Sequence, residues 1–369
     1  MLRICHMTSV HNRYDGRIFQ KECSSLAKEK YEVVLLVNDD QEDEEKNGVR
    51  IRSVKISSNR IIRILTAANK MFRKALEVNA DIYHIHDPEL LPLAEKLSGR
   101  GKHVVYDSHE FYYYQIRQKY YIPELLRNPI AEIYRRYEVR VLKRIDAVIT
   151  PCTICGKNYF DNIAKKTVFV DNLPEKDRYS AKPFSEKDSP LNYCYVGSLT
   201  EQRGIIEMLK ASIESDGKFV LAGDFEESIK AEAEQYLLQE VIDYRGYANK
   251  EDVQKIYDEA GIGLSVLHNS GQYKILDNMP TKVYEYMLAG IPIILSRREY
   301  SEKFIKKYPV GILVEPENVN EIVDSIRYLQ ENVELASEMG KLGRQVILNE
   351  LCWEKEIKKI IDLYENIVS

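Results

Sequence analysis

Short β-rich runs alternate with helical patterns along this chain, and the alternation restarts once. The first series reads LRICHMT, a helix around residues 19–30, EVVLLVN, DIYHIHD, HVVYDSH, AVITP and VFVDN. The second reads LNYCYVG, KFVLAGD, VIDYRGY, IGLSVL, IPIILS and VGILVEP, with helical patterns between them. Strands spaced by helices predict parallel βαβ units rather than an antiparallel sandwich. Between the two series, residues 173–190 (LPEKDRYSAKPFSEKDSP) are rich in charge, Ser and Pro and show no period, as a linker does. A chain of 369 residues is too long for one ordinary core. The expectation is an α/β protein with a doubly wound domain over 1–172, a linker over 173–190, a second such domain over 191–350 and a terminal helix over 351–369. Sites in such folds lie at the carboxyl ends of strands, so strand-ending residues are the ones to inspect.

Composition narrows the partners. No run of about 18 apolar residues appears, and MLRICHMTSV lacks the charged start and apolar core of a secretory signal. Six cysteines are scattered, and the single Cys152/Cys155 CxxC has no second pair or finger-spaced histidine. Reduced thiols in a cytoplasmic protein are expected. Residues 1–172 hold 29 Lys and Arg against 23 Asp and Glu, whereas the remainder holds 24 against 35. A basic half joined to an acidic one points to modules with different partners.

The strongest chemistry lies at residues 277–292 (DNMPTKVYEYMLAGIP). Asn278 suits a cap, Pro280 the first helical turn, and Gly290 with Pro292 a stop. An exposed helix N-terminus attracts anions. Lys282 is the wrong charge for that end unless an anion joins it. Glu285, three residues on, shares its side and could accept from a ribose diol; a plain surface Lys–Glu pair is the competing reading. After the domain's first strand comes VGSLTEQRG. Gly197 permits close approach to a ligand, and Arg203 could grip a diphosphate. Gly223 and Tyr247 lie in two further loops that end strands on the same edge of the sheet; Tyr247 could stack on a base or simply pack.

With PTK upstream, EYMLAGIP resembles the donor-binding helix of retaining glycosyltransferase family four (glycosyl transferases group 1), a GT-B group. The likeness extends to VGSLTEQRG, LAGD, YRGY and the helix after Trp353, and so covers nearly the whole chain. It implies two Rossmann-like domains facing across a cleft, with the terminal helix crossing back to the N-terminal domain. It also implies a nucleotide-sugar donor, UDP- or GDP-linked, and a saccharide or polyprenyl-linked acceptor in polysaccharide or glycan assembly. Glu285 matches the second glutamate of the family's E-x7-E motif, the ribose ligand, and Asp277 stands where the first would be. The pyrophosphate loop's usual Arg and Lys fall on Ser198 and Arg203, so one positive charge is missing, and Lys282 is expected to replace it. His109 in VVYDSHEF matches the histidine that contacts the donor sugar. His84 and His86 match a strand-end pattern and are read as scaffold, with His86 open to the cleft. Many relatives carry Gly-Gly in the first loop; this chain has only Gly16, for backbone contact to the diphosphate, with Asp15 and Arg17 left to shape acceptor binding.

The implied chemistry makes His109, Asp277, Arg203 and Lys282 the catalytic set and requires neither metal nor cofactor. Asp39-Asp40 reads as a solvated loop rather than a metal pair. Residues 58–77 are basic and amphipathic, and residues 111–121 carry five tyrosines beside Arg117 and Lys119. That combination suits an anionic membrane surface, here the inner face of the cell membrane, or the outer faces of ordinary helices. No nucleic-acid module is recognisable. A GT-B sugar-nucleotide 2-epimerase and a non-catalytic partner subunit are the rival classes.

Overall fold

A computed structural model of the chain describes residues 1–119, 121–183, 186–187, 189–270 and 274–369. Tyr120 of the tyrosine-rich stretch, and Phe184, Ser185 and Asp188 of the expected linker, lie outside the described residues. The chain divides into two compact units, Met1–Asn172 with Glu354–Ser369, and Leu173–Trp353.

The first unit is built on strands β1 (Arg3–Thr8), β2 (Glu32–Val37), β3 (Glu44–Lys46), β4 (Val49–Ser53), β5 (Ile82–Ile85), β6 (His103–Asp107), β7 (Ala147–Thr150) and β8 (Thr167–Phe169), in the sheet order β3-β4-β2-β1-β5-β6-β7-β8. All neighbours are parallel except the β3–β4 edge hairpin. The order reverses direction between β1 and β5, and β1 is buried from Ile4 to Thr8 because helices cover both faces. Helix Trp353–Val368 brings its stripe Ile357, Ile360 and Tyr364 into this unit's core.

The second unit contains β9 (Ser189–Val196), β10 (Phe219–Ala222), β11 (Ile242–Tyr244), β12 (Ala260–Ser265), β13 (Ile293–Ser296) and β14 (Gly311–Val314). Its order, β11-β10-β9-β12-β13-β14, is the 3-2-1-4-5-6 order of a dinucleotide-binding sheet, parallel throughout. The crevice of such a sheet opens between its first and fourth strands, here β9 and β12.

Three sequence expectations change in detail. The first helix begins at Gly16, and its segment Gly16–Cys23 is wound as a π-helix, continued by an α-helix over Ser24–Lys28. A π turn stacks residues five apart, which brings Arg17 and Glu22 to one side. Residues 173–190 are not a bare linker: Leu173, Tyr179 and Lys187 are buried in the second unit, where Tyr179 packs on Tyr257 and Lys187 Nζ donates to the Tyr257 carbonyl. Charge at solvent-facing positions concealed these three anchors. Asp39 is no free loop carboxylate either, since it accepts two hydrogen bonds from the buried Arg13, at 2.7 and 2.9 Å.

Candidate functional site

In the second unit, three loops leave the carboxyl ends of β9, β10 and β11 and bind one another. Gly197 N donates to Ala222 O at 2.9 Å, and Gly223 N donates to Gly246 O at 2.7 Å. Gly223 has φ +138°, and a Cβ there would stand 1.8 Å from the Gly197 carbonyl oxygen, so only glycine lets these loops close. The loop after β12 joins them through His268 N to Gln202 O, 3.0 Å. The constellation thus forms at the crevice of the sheet.

Lys282 occupies its floor. Helix Thr281–Leu288 starts from Pro280 with no side-chain cap; Asn278, expected as the cap, instead offers its carbonyl to Arg298 at 3.4 Å. From the first turn, the buried Lys282 side chain reaches under β9. Its Nζ donates to Val196 O at 2.8 Å and lies 4.2 Å from the centre of the Tyr195 ring. Burial, then the neighbouring Arg203 guanidinium, pulls the Lys282 ammonium down to about 7. Glu285, on the same helix, accepts a 3.1 Å hydrogen bond from the buried Tyr257 hydroxyl. Ser198 is exposed, Asp277 and Asn278 are half-buried, and Tyr247 presents 78% of its surface to solvent. Lys282, Arg203, Gly197 and Gly223 are therefore gathered at one crevice, and Tyr247 is open to a planar ligand.

Tyr195 and Tyr257 were absent from the sequence reading. Tyr195 lies two residues before Gly197 on the same face of β9, a signal that was available. Tyr257 belongs to a helix 28 residues before Glu285, and no local pattern links them.

In the first unit, the strand ends on either side of the β1/β5 reversal carry a second constellation. Asp87 accepts from Thr8 Oγ1 at 2.8 Å and from Ser9 N at 2.6 Å, and pairs with His11 at 3.0 Å. Burial would raise the Asp87 carboxyl, but these donors hold it low; Asp87 in turn raises His11 against its own burial. His109 is half-buried, with Nε2 3.2 Å from His86 Nδ1 and 3.5 Å from Asp107. Burial would raise Asp107, but the Arg17 guanidinium beside it and then His109 keep it well below the usual carboxylate range. Arg17 is buried between Asp107 and Glu22, at 3.0 Å from each, and Asp15 accepts from the Arg17 and Ile18 amides as the helix cap. Arg17 is therefore closed to an acceptor, contrary to expectation, whereas Asp15 is half-buried. Gly16 is exposed, and a Cβ there would touch nothing within 4 Å.

These strand ends open into a cavity of about 740 Å³ whose lining includes Arg60, Arg63, His86, His109, Tyr112 and Lys119. Beside it, helix Arg60–Val78 buries Ala67, Ala68, Met71 and Ala75 but exposes Ile61 by 70% and Leu65 by 70%. Helix Glu124–Leu142 exposes Leu125 by 91% and Ile133 by 69%. No helix among the described residues is long and apolar enough to cross a membrane.

The family described as Glycosyl transferases group 1 matches residues 176–346, and Glycosyltransferase Family 4 matches residues 16–170. A putative colanic acid biosynthesis glycosyltransferase, WcaL of Escherichia coli K12, is 26% identical over 150 residues, 38% of this chain. The match spans only 36% of that relative's length. Among solved structures, sucrose-phosphate synthase of Thermosynechococcus elongatus is similar with a TM-score of 0.80 at 15% identity, over 100% of this chain and 99% of that one. Alr3699/HepE of Anabaena, solved with UDP and glucose, is similar with a TM-score of 0.72 at 12% identity, over 99% and 100%.

Proposed function

Since the chain belongs to the GT-B glycosyltransferases of the family-four type, we propose that it transfers a sugar, with retention, from a UDP- or GDP-linked donor to a saccharide acceptor. The observation that carries the donor half is the buried Lys282 ammonium, held against the backbone beneath Gly197 with Arg203 beside it. Among the described residues no carboxylate makes an ion pair with the buried Lys282 ammonium, which is costly, and a diphosphate in the crevice would supply the missing charge. Glu285, oriented by Tyr257, is suited to a vicinal diol such as ribose, because a carboxylate accepts both hydroxyls.

In this reading the acceptor oxygen attacks the anomeric carbon on the face from which the diphosphate leaves. The C–O bond to the acceptor forms, the bond to the diphosphate oxygen breaks, and the acceptor proton passes to the departing diphosphate. Lys282 and Arg203 stabilise the charge that develops on it. Asp277 and His109 are assigned to the donor sugar, with Gly16, Ser198, Gly223, Tyr247 and Asn278 as further donor contacts. Neither a metal nor a cofactor is assigned a step in this transfer. UDP is the first donor to try, because HepE was solved with UDP and glucose.

The cavity above β1, β5 and β6 is the acceptor site in this proposal. Its tyrosines offer stacking faces to sugar rings, and Arg60, Arg63 and Lys119 suit an acceptor that carries phosphate. The exposed Ile61, Leu65, Leu125 and Ile133 favour a protein seated at the cytoplasmic face of a membrane on a lipid-linked acceptor, over one with merely solvated helix faces. The likeness to WcaL supports surface polysaccharide as the product class.

The test is thermal unfolding with UDP, GDP, ADP and CDP beside a Glu285→Ala control. A ligand at 100 times its Kd adds about 2.7 kcal/mol. Stabilisation of the wild type but not the variant by one nucleotide supports the donor site; no stabilisation by any of them overturns it.

A further inference from the structure

One histidine in the cavity wall is held by a carboxylate that has no part in the transfer described above. His11 lies in the loop after β1, and Asp87 follows β5. Asp87 is 2% exposed, whereas the His11 side chain is 28% exposed and lines the cavity. The two oxygens of Asp87 have separate partners. Oδ2 accepts from Thr8 Oγ1 at 2.8 Å, Ser9 N at 2.6 Å and Val10 N at 3.3 Å, which ties the loop after β1 to the end of β5. Oδ1 lies 3.0 Å from His11 Nδ1. One oxygen therefore secures the loop, and the other is left for the imidazole.

The surrounding groups fix which nitrogen of that ring carries hydrogen. Thr8 Oγ1 is also 3.1 Å from Nδ1, but its one hydrogen goes to Asp87, and it accepts from His11 N at 3.1 Å. Nδ1 thus faces two acceptors and no donor, so it is the N–H. In a neutral imidazole the other nitrogen, Nε2, is then a bare acceptor. The two ring nitrogens point away from each other, so with Nδ1 turned to the buried carboxylate, Nε2 is turned to the cavity. Among the described residues it has no hydrogen-bond partner. Burial pulls the His11 imidazole down, but the bond to Asp87 and its charge outweigh this and raise it. Nε2 is accordingly a stronger acceptor than that of a free imidazole.

We propose that His11 sets acceptor specificity: its Nε2 accepts a hydrogen bond from a sugar hydroxyl, and Asp87 is the positioning residue that keeps the hydrogen on Nδ1. This rests on the reading of the cavity as the acceptor site. In that reading the attacking hydroxyl gives its proton to the diphosphate, so the hydroxyl on His11 is a second one on the same acceptor. The group bound there is the saccharide and not a phosphate. An ionised phosphate brings lone pairs and negative charge to a nitrogen that offers a lone pair and has a carboxylate behind it, with Glu89 and Glu110 in the same lining. A hydroxyl brings the hydrogen that Nε2 lacks. The His109 ring, its centre 4.9 Å from that of His11, is the neighbour against which this contact can be measured.

The decisive experiment is nitrogen NMR of the full chain with ¹⁵N-labelled histidine, in which His11 is identified among the seven histidines by the resonances that His11→Gln removes. At a pH where the ring is neutral by its own titration, Nδ1 should be the protonated nitrogen and Nε2 the bare one. D-glucose, D-galactose and D-mannose are titrated in turn, and at least one should move Nε2 toward the protonated position, whereas inorganic phosphate should not. Asp87→Asn adds a reversal. The three donors on Oδ2 hold the amide oxygen there, so the NH₂ group faces Nδ1, the hydrogen moves to Nε2, and the hexose response is lost. Where that variant fails to fold, the wild-type tautomer and hexose response decide alone. A wild-type ring protonated on Nε2, or a response to phosphate in place of hexose, overturns the assignment. Hexose shifts at His109 but not at His11 overturn the role of His11 and leave the cavity as an acceptor site; shifts at neither overturn both.

Discussion

Lys282 Nζ lies 2.6 Å from the point where a Cβ on Gly197 would stand, so the lysine ammonium takes the space that any side chain at position 197 would fill. Gly197 also has φ +143°, in the region that side-chain-bearing residues rarely adopt. Gly197→Ala should therefore displace the ammonium and strain the loop together. We expect a loss of about 1–3 kcal/mol in unfolding free energy and disappearance of nucleotide-induced stabilisation. Urea unfolding with and without UDP checks both; a variant that still binds UDP normally would separate the glycine from the lysine's placement.

Lys282→Met should act in the opposite direction on stability. The methionine keeps much of the stem and removes a buried charge, so the free protein should gain about 1 kcal/mol or more. Nucleotide stabilisation should vanish at the same time. Turnover should fall by more than threefold, which corresponds to a barrier increase above about 0.7 kcal/mol. A variant that loses stability without ligand would show that the lysine's packing outweighs the cost of burying it.

The pH dependence follows from the same group. In the folded protein Lys282 loses its proton near 7, whereas the unfolded chain holds it to about 10.5. Between these values the unfolded state binds more protons, so this group makes stability rise with pH from about 7 upward. A bound diphosphate reverses the preference by favouring the charged amine. Binding at pH 8 should take up close to one proton, binding at pH 6 close to none, and affinity should fall above pH 7. Calorimetry in buffers of different ionisation enthalpy measures the uptake; equal values at both pH values would exclude Lys282 as the titrating partner.

The fold class was legible because both series of βαβ units carry mainly apolar strands; β5, β10 and β13 are buried along their length and β1 from Ile4 to Thr8. The crevice loops were legible too, since glycines at strand ends signal close approach. Contacts between elements far apart in sequence were not. Tyr257 and Glu285, Tyr364 and His84, and Arg17 and Asp107 are joined only by the fold. Arg17 illustrates the difficulty: a cation in a strand-end loop looks available to a ligand, yet the π turn directs it inward to two carboxylates.

Tyr257→Phe isolates one of these contacts. It removes the hydroxyl that donates to Glu285 and leaves the ring in the core. A hydrogen bond to a charged group contributes about 1.5–3 kcal/mol, part of which should appear as roughly tenfold weaker nucleotide binding. The loss should be largest for ribonucleotides and small for a dideoxy analogue, because the diol is what Glu285 is placed to meet. Equal losses for both would assign the tyrosine to general packing.

The apolar residues that helices Arg60–Val78 and Glu124–Leu142 show to solvent supply the last prediction. Leu125 at 91% and Ile133 at 69% exposure gain nothing from the core, and Arg127, Arg135 and Arg136 share their helix. An apolar stripe with flanking cations inserts shallowly between headgroups while the cations meet anionic lipid. Flotation with phosphatidylglycerol-containing vesicles should carry the protein upward, with weaker binding to neutral vesicles and in high salt, where the attraction is screened. Leu125→Asp combined with Ile133→Asp should abolish flotation while leaving the melting temperature within a few degrees, since neither side chain is buried. If the double variant floats as well as the wild type, these helices are ordinary solvent faces and the acceptor need not be presented at a membrane.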